Sequence, residues 1–472
     1  MVDGVHEDAA PQRPRQQKRV DLGGFPAGIT ARACLIAAIA FAMLVPLFLL
    51  GQLVAERSQR QTEAIDAIAE SWGRRQAVVG PLLVVPIQEV TETEDGPQVA
   101  MGHAVFLPET LSVEGDVPVE TRARGIYEAL LYSTELTLTG SFARPDFAGF
   151  PPARGVERTI LWDRATLALG LSDVSAIAAM PVATWGGRSL TFRPGEATQG
   201  IGRGIHAPLG AAGLGSPAGA DSAVDFSIRL AFNGSSGLAV APVGATTELR
   251  LTSDWPHPSF GGGFLPDSHD IAADGFTAAW SVSSLARAYP QSWRTDHESH
   301  EYDLLWSTLA VELVQPVDVY TQTERAVKYG ILFIGLTFLA VFLVEIRSGR
   351  PVHLVQYGLI GAALAVFYLL LLSLSEHVGF LPAYVAGALA VLAAIGWYSV
   401  GALGSVARAA GVSAILAGLY VVLYVLLSLL DYALLVGSFV VFAALVVAMA
   451  ATRNLRHEPK PSDPQPAAAP AA

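Results

Sequence analysis

The stretch VSAILAGLYVVLYVLLSLLDYALLVGSFVVFAALVVAMAA, residues 412–451, contains a single charged residue, Asp431. As one helix it would be about 60 Å long, which is roughly twice the thickness of the hydrocarbon layer of a bilayer. We therefore interpret it as a hairpin of two membrane helices, near residues 412–429 and 433–451. Asp431 would lie at the tip of this hairpin, where a carboxylate can reach water.

Four more apolar runs precede the hairpin, at residues 33–53, 327–344, 357–374 and 380–400. A membrane-spanning helix needs about 20 predominantly apolar residues, so the chain is predicted to cross a membrane six times. The first run is longer than the apolar core of a signal peptide, about 7–15 residues, and no small-x-small cleavage pattern follows it. We therefore expect an uncleaved anchor, which Pro46 would kink.

The direction of the spans follows from the basic residues in the short segments between them, which favour the cytoplasmic side. Basic residues occur in the tail at 1–32, after the second span, after the fourth span and after the last span. They are Arg13, Arg15, Lys18, Arg19, Arg32, Arg347, Arg350, Arg408, Arg453, Arg456 and Lys460. Both tails, which are low in complexity and predicted to be disordered, are therefore expected in the cytoplasm. Residues 54–326 would then lie on the opposite side of the membrane, outside the cytoplasm.

Residues 54–326 are predicted to form a large all-β domain, inserted between the first helix and the bundle at 327–455. Residues 56–70 favour a helix that continues the first span and stops at Gly73. Beyond it, apolar residues alternate with polar ones, as in Phe226, Ile228, Leu230 and Phe232, which is typical of strands with one buried face. We expect an antiparallel sandwich, open to division into two lobes at the Gly- and Ala-rich residues 208–220. Asn233-Gly234 or Ser236-Gly237 would be a hairpin tip.

The polar composition excludes several classes of function. The formal net charge of −12 argues against nucleic acid as a partner, because phosphate binding needs a basic surface. Cys34 is the only cysteine, so no intrachain disulfide can form. The sequence has no P-loop and no Gly-x-Ser-x-Gly elbow, and we expect no cofactor.

The densest polar cluster of the β-rich domain lies in the segment SDWPHPSF, residues 253–260. Ser253, Asp254 and His257 are the residue types of a catalytic triad, but triad members usually meet through tertiary folding and not along one Pro-flanked segment. The alternative is a turn that holds Trp255 and Phe260 in the core.

Two further motifs are weaker. In the segment HESH, residues 297–300, the histidines are three residues apart, whereas the helical zinc-protease pattern needs four, so we expect a solvated loop. The glycine-rich segment at 200–204 does not follow a strand and open a helix, as a dinucleotide-binding loop must, and is interpreted as a turn.

The segment SLSEH, residues 373–377, lies at the outer end of the third span. Glu376 beside His377 could bind a cation, relay protons or cap the helix. The alternative is a polar turn at the membrane edge. The interiors of the predicted spans contain no charged residue, which argues against a transporter. Gly358, Gly361, Gly411 and Gly418 are expected to allow close helix packing.

Motifs along residues 55–455 resemble those of the CreD family of inner membrane proteins. In the β-rich domain these are SWGRRQ (71–76), GPLLVVP (80–86), LPE (107–109), RGIY (124–127), GIHA (204–207), SDWPHPSF (253–260) and PVD (316–318). In and near the bundle they are RAVKY (325–329), QYGL (356–359), FYLLLLSLSEH (367–377), DYALL (431–435) and TR (452–453). The segment 301–310 and the long N-terminal tail depart from the family pattern. The resemblance implies a bacterial inner membrane, expression tied to a two-component response and protection of the cell envelope, but no reaction.

Two hypotheses for the function follow. The first is a non-enzymatic envelope factor whose periplasmic β-rich domain binds an envelope component or protein, with the membrane lipids as the other partner. The second is a membrane-embedded enzyme that acts on a lipid or a peptidoglycan precursor at the periplasmic face, with Glu376 and His377 as its acid–base pair. No catalytic residue is assigned, and the oligomeric state is left open.

Overall fold

A computed structural model describes residues 29–196, 203–210, 223–316, 318–348, 351–429 and 432–453. The described residues before Ala55 and after Thr321 form a helical unit, and residues from Ala55 to Thr321 form a β-rich domain. The predicted fold class is confirmed, since the β-rich domain is inserted between the first membrane helix and the other five. Asp431, most of both tails and most of the Gly- and Ala-rich loop lie outside the described residues.

Nine α-helices occur in the described part of the chain. They are α1 (Ile29–Ala42), α2 (Leu44–Trp72), α3 (Glu301–Trp306), α4 (Val319–Lys328), α5 (Gly330–Ser348), α6 (Leu354–Val378), α7 (Phe380–Leu403), α8 (Val406–Ser428) and α9 (Ala433–Thr452). Six spans among the described residues are long and apolar enough to cross a membrane: α1 with α2, and each of α5 to α9.

The first span is interrupted between α1 and α2, at Met43. Pro46 has no backbone N–H to donate to the carbonyl of Ala42, and its ring crowds that carbonyl. The helical hydrogen bonds continue on either side, from Met43 N to Ile39 O (3.1 Å) and from Leu47 N to Met43 O (3.3 Å). The kink predicted from Pro46 therefore appears as a break three residues before it.

Of the four glycines expected to allow close helix packing, one is tightly packed in the helical unit. A Cβ atom at Gly361 would lie 2.9 Å from the Phe338 ring and 3.0 Å from Met43, so only glycine fits there. A Cβ atom at Gly358, Gly411 or Gly418 would meet nothing within 4 Å, and the packing role predicted for these three is wrong. Helices α6 and α7 turn sharply at Gly379, whose φ of +79° favours glycine.

Nineteen strands are described, and they form two sheets. The strands are β1 (Gln76–Thr93), β2 (Gly96–Phe106), β3 (Thr110–Asp116), β4 (Val119–Arg124), β5 (Tyr127–Phe142), β6 (Val156–Ile160), β7 (Thr166–Leu171), β8 (Val182–Trp185), β9 (Arg188–Leu190), β10 (Arg193–Glu196), β11 (Arg203–Pro208), β12 (Val224–Ser235), β13 (Gly237–Val240), β14 (Thr246–Ser253), β15 (Pro258–Gly262), β16 (Ser268–Ala272), β17 (Gly275–Ser283), β18 (Ser292–Arg294) and β19 (Leu309–Leu313).

The long strand β1 organises the first sheet, whose main order is β10-β11-β7-β1-β13-β19-β15. Strands β2 and β6 also pair with β1, and β18 extends the sheet beyond β2. The second sheet has the order β16-β17-β14-β3-β5-β12-β8-β9, and β4 pairs with β5. Most of these pairs are antiparallel, but β1 with β13 and β3 with β14 are parallel.

One hydrophobic core fills the space between the two sheets and contains residues of both. Phe226, Ile228, Leu230 and Phe232 all point into it, which confirms the alternation seen in the sequence. The hairpin predicted near residues 233–237 is wrong, because Asn233 and Gly234 lie within β12 and the chain crosses to the first sheet at Ser236. The buried Tyr132 of the second sheet donates a hydrogen bond to the carbonyl of Gly237 in the first (2.9 Å), and burial raises its pKa.

The end of α2 is held within the β-rich domain. Trp72 donates from Nε1 to the carbonyl of Tyr132 (3.2 Å), and the Arg122 guanidinium lies 3.7 Å from the centre of its ring. Gly73 follows with a φ of +148°, and a Cβ atom there would lie 2.7 Å from the carbonyl of Asn233. The helix therefore stops at the predicted glycine because β12, which contains Asn233, passes too close for a side chain.

A buried ionic cluster joins three strands of the first sheet. Glu89 of β1 accepts hydrogen bonds from Arg158 of β6 and from Arg294 of β18, and Arg294 also binds Asp296 (2.6 Å). The hydrogen bond from Arg294 outweighs the effect of burial and, with Arg158, lowers the pKa of Glu89 below its ordinary value. Burial alone would raise the pKa of Asp296, but the hydrogen bond and charge of Arg294 lower it.

Glu89→Gln is expected to loosen β6 and β18, because two buried arginines lose their shared carboxylate, a change that costs about 3 kcal/mol. The stability contributed by a carboxyl of lowered pKa is present above its unfolded-state pKa and is lost as the pH falls through the folded-state pKa. Acidification below pH 4.5 should therefore loosen the same strands in the wild type, and less so in the variant, in which Asp296 alone still loses its charge beside Arg294. Hydrogen–deuterium exchange of the full chain in lipid nanodiscs measures both effects.

The matched control is Glu120→Gln, which removes a carboxylate from the exposed Arg122–Glu120 pair (2.9 Å). Exposed pairs contribute about 0–1 kcal/mol, so exchange in β6 and β18 should not change. Equal exchange rates in Glu89→Gln and wild type at neutral pH would contradict the role assigned to the cluster.

Candidate functional site

The segment 253–260 forms a turn between β14 and β15 in which each polar group binds a different backbone atom. Ser253 donates from Oγ to the carbonyl of Val117 (2.7 Å), and Asp254 accepts from the amide of Val119 (2.8 Å). Trp255 donates from Nε1 to the carbonyl of Val314 (3.0 Å) and packs against the core together with Phe260. His257 is exposed and lies edge-on to the Trp255 ring. These contacts are those of a turn that carries the chain from β14 of the second sheet to β15 of the first.

His300 of the HESH segment is held by two carboxylates. Its Nδ1 lies 3.0 Å from Asp303 and its Nε2 lies 3.2 Å from Glu298, while its ring packs edge-on against Trp293. His297 is exposed and lies 3.7 Å from Asp296. The predicted solvated loop is therefore wrong for His300, which is largely buried and positions the start of α3.

Glu376 and His377 lie in the last turn of α6. His377 is exposed, and its Nδ1 lies 3.1 Å from the carbonyl of Ser373 one turn earlier. Glu376 is half-buried. In the helical pattern this carbonyl also accepts the backbone amide of His377, so the imidazole adds a second contact within the same turn. The contact ties the His377 side chain to its own helix.

A buried polar cluster that the sequence did not suggest lies in the helical unit. Arg32 of α1 forms an ion pair with Glu345 of α5 (2.5 Å) and donates to the carbonyl of Val352 (2.5 Å). Tyr357 of α6 donates to the second oxygen of Glu345 (2.8 Å). The side chain of Glu345 is 7% exposed, against 32% for that of Arg32. The cluster joins the first membrane helix to two helices that come much later in the chain.

Glu345 is a buried charge that the predicted bounds of the second span leave out. The second span was predicted to end at Val344, whereas α5 continues to Ser348 and includes Glu345. Because Glu345 lies two residues before Arg347, the two charges together indicated a loop after the apolar run. One signal was available: Tyr357 and Arg32 each lie at the edge of an apolar run, and buried charges in such runs need partners. Pairing among the three required the tertiary structure.

The outer face of the second sheet carries an open groove of about 280 Å³. Its polar lining comes from three adjacent strands and one loop: Ser112 and Glu114 of β3, Glu248 and Arg250 of β14, Ser281 of β17, and Asp267. Arg250 of β14 lies opposite Glu114 of β3. Glu248 of β14 lies opposite Ser112 of β3 on one side and opposite Ser281 of β17 on the other. Asp267 accepts a hydrogen bond from the amide of Ser281 (2.6 Å) and so closes one side.

The charges in the groove are available to a ligand. Among the residues that the structure describes, no carboxylate lies within ion-pair distance of Arg250. The groove therefore presents three carboxylates, two hydroxyls and one guanidinium side by side, a set that can accept and donate hydrogen bonds. Within the described part of the chain, no group of three His, Cys, Asp or Glu residues is arranged to hold a metal ion.

Two similarities to known proteins extend over most of the chain. A family model described as "Inner membrane protein CreD" matches residues 28–458. The inner membrane protein CreD of Escherichia coli (strain K12) is 32% identical over 419 residues, which cover 88% of this chain and 90% of that protein. Both similarities are long enough to include the helical unit and the β-rich domain.

His377→Ala is expected to leave the function of the protein intact, because the imidazole binds only a carbonyl of its own helix. The cost should be no more than about 0.5 kcal/mol, as for other charges or caps in a last turn. The measurement is envelope permeability to a dye in a strain that lacks the protein, complemented at matched membrane levels with wild type, His377→Ala or Glu376→Gln. Loss of the barrier in either variant, with normal insertion, would instead indicate a chemical site.

Arg32→Met should destabilise the helical unit by about 2 kcal/mol, because Glu345 is left buried without its counter-ion. Adding Glu345→Gln should recover most of the loss, since a neutral amide still accepts the Tyr357 hydroxyl. The thermal stability of the detergent-purified full chain, followed by size-exclusion chromatography, measures both variants. A double variant as unstable as Arg32→Met would contradict the assignment.

Proposed function

The chain belongs to the CreD family of inner membrane proteins, and from this premise we propose that it maintains the integrity of the cell envelope by binding an envelope component through its β-rich domain. The observation that carries the binding part is the polar groove on the outer face of the second sheet. A rigid sheet supplies the groove floor, so its side chains are held in fixed positions relative to one another.

The proposal places the β-rich domain in the periplasm. Six spans put both termini on one side of the membrane and put a domain inserted after the first span on the other. Arg347 and Arg408 lie at or beside the turns that follow the second and fourth spans, whereas Glu376 lies in the last turn of the third. Because basic residues favour the cytoplasmic side, this distribution supports cytoplasmic termini.

The chemistry of the groove favours a ligand rich in hydroxyl, amide or amine groups. Three carboxylates accept hydrogen bonds from such donors, and Arg250 offers a planar set of donors to a carbonyl or carboxylate. Peptides and sugars of the envelope carry these groups. The membrane lipids are the second partner, through the apolar surfaces of α5 to α9.

The groove variant Glu248→Gln with Arg250→Gln is expected to abolish protection of the envelope, because it removes the charges at the centre of the groove. The measurement is uptake of an impermeant dye by a strain lacking the protein, complemented with the full-length variant at matched membrane levels. We expect uptake close to that of the uncomplemented strain.

The matched control is Glu135→Gln with Arg229→Gln, which removes one charge of each sign from exposed positions on β5 and β12 of the same sheet. It should restore the barrier fully. Full protection by the groove variant would exclude the groove as the binding surface. Equal dye uptake with and without the wild-type protein would overturn the envelope role itself.

A further inference from the structure

The short helix α3 is a rigid platform on the β-rich domain. Leu304 points into the hydrophobic core and is almost fully buried. His300, just before the helix, is held between Glu298 and Asp303 and packs edge-on against Trp293. The following residue Ser307 is buried, and backbone of Trp306 and Ser307 passes so close to Gly263 that a Cβ atom there would lie 2.9 Å away. Both ends and one face of the helix are therefore fixed.

The opposite face of α3 exposes two aromatic rings. Tyr302 and Trp306 are 73% and 71% exposed, although residues of this size are normally buried. They are four residues apart, so they lie on the same face. Their rings are nearly parallel, with an interplanar angle of 13° and centroids 5.9 Å apart. At that separation the rings are offset, and a large part of each face is open to a ligand.

Polar and apolar groups border the rings. Leu305, which is exposed, lies three residues after Tyr302 on the same side of the helix. Glu301 lies one turn before Leu305 and is half-buried. At about 100° per residue, the exposed arc of the helix places Glu301 and Leu305 on one side of the rings and Asp303 on the other. A ligand on the rings therefore meets carboxylates at its edge.

We propose that this surface, Tyr302 and Trp306 with Glu301 at their edge, binds a carbohydrate. The C–H face of a pyranose ring is apolar and packs flat on an aromatic ring, while its hydroxyl and amide N–H groups point outward along the ring edge. The exposed rings of Tyr302 and Trp306 pack against the C–H face of the sugar. The carboxylate of Glu301 accepts hydrogen bonds from the hydroxyl and amide N–H groups at the edge of the sugar. An uncharged glycan chain can contact both rings with successive sugars.

Charge and area distinguish a glycan from the other partners of exposed aromatic residues. Tyrosine and tryptophan also bind at bilayer surfaces, but Glu298, Glu301 and Asp303 around this helix would repel an anionic lipid surface. A stable protein interface buries about 800 Å² on each partner. The side chains of Tyr302, Leu305 and Trp306 offer a contact area of roughly 500 Å² at most. This area is enough for one or two sugar rings and too small for a stable protein interface.

This inference rests on the proposed function for its location, because an envelope glycan reaches α3 only if the β-rich domain is periplasmic. The site itself is separate in sequence and strand from the groove, which is built by β3, β14 and β17. Binding measured in vitro is independent of the membrane side. The two proposals can therefore fail separately.

The experiment measures binding of a four-residue chitin oligosaccharide to the full chain in nanodiscs of a neutral phospholipid. Nanodiscs avoid sugar-based detergents, which would compete for the site. Saturation-transfer-difference NMR and isothermal titration calorimetry should show saturable binding to the wild type. Tyr302→Ala with Trp306→Ala should weaken binding about tenfold or more, whereas Tyr302→Phe with Trp306→Phe, which keeps two stacking rings, should retain most of it.

Leu285→Ala is the matched control, since it removes an exposed apolar side chain elsewhere on the domain and should leave binding unchanged. Thermal unfolding should be equal for all variants, because both rings lie outside the core. Equal glycan binding by the double alanine variant and wild type would overturn the inference, as would no binding by the wild type. If the wild type binds no glycan while the groove variant Glu248→Gln with Arg250→Gln still fails to restore the envelope barrier, this inference fails and the proposed function stands.

Discussion

The hydrocarbon of a bilayer offers no hydrogen-bond partner, and this constraint shapes the chain around it. Backbone groups in the spans must be satisfied within helices, and charges must lie at helix ends or pair inside the protein. Arg32, Glu345 and Tyr357 meet the second condition, because the buried carboxylate receives one ion pair and one hydroxyl hydrogen bond. The same cluster fastens the first helix to α5 and α6, although the whole β-rich domain lies between them in the sequence.

The β-rich domain has no disulfide to support it, since Cys34 is the only cysteine and lies in α1. Its stability comes from one core shared by two sheets and from the Glu89 cluster on the first sheet. The cluster also lies close to α3 in the sequence, because Arg294 and Asp296 come just before His300 and that helix. Charges buried in the sheet thus hold the segment that carries the exposed aromatic rings.

The residues that resemble catalytic motifs and the residues that form accessible surfaces are different sets. Ser253, Asp254 and Trp255 use their polar groups to satisfy backbone amides and carbonyls around a turn. His377 binds a carbonyl of its own helix. In contrast, Arg250 in the groove has no carboxylate within ion-pair distance among the described residues, and the rings of Tyr302 and Trp306 on α3 are largely exposed. The surfaces proposed to bind ligands are therefore marked by exposure and available charge and not by residue type and spacing.

The amino-acid sequence by itself determined the six spans, the inserted β-rich domain and the family, because these depend on local composition, on periodicity and on colinear motifs. It also indicated the end of α2 at Gly73 and the inward face of β12. A glycine that ends a helix and a strict alternation of apolar and polar residues are both signals contained within a few neighbouring residues. Only the tertiary structure decided that Ser236 is a crossing between sheets, that Glu345 is buried against Arg32, and that three strands build one groove. Each of these depends on which distant segments become neighbours, and strand order and helix packing are set by the fit of the whole core.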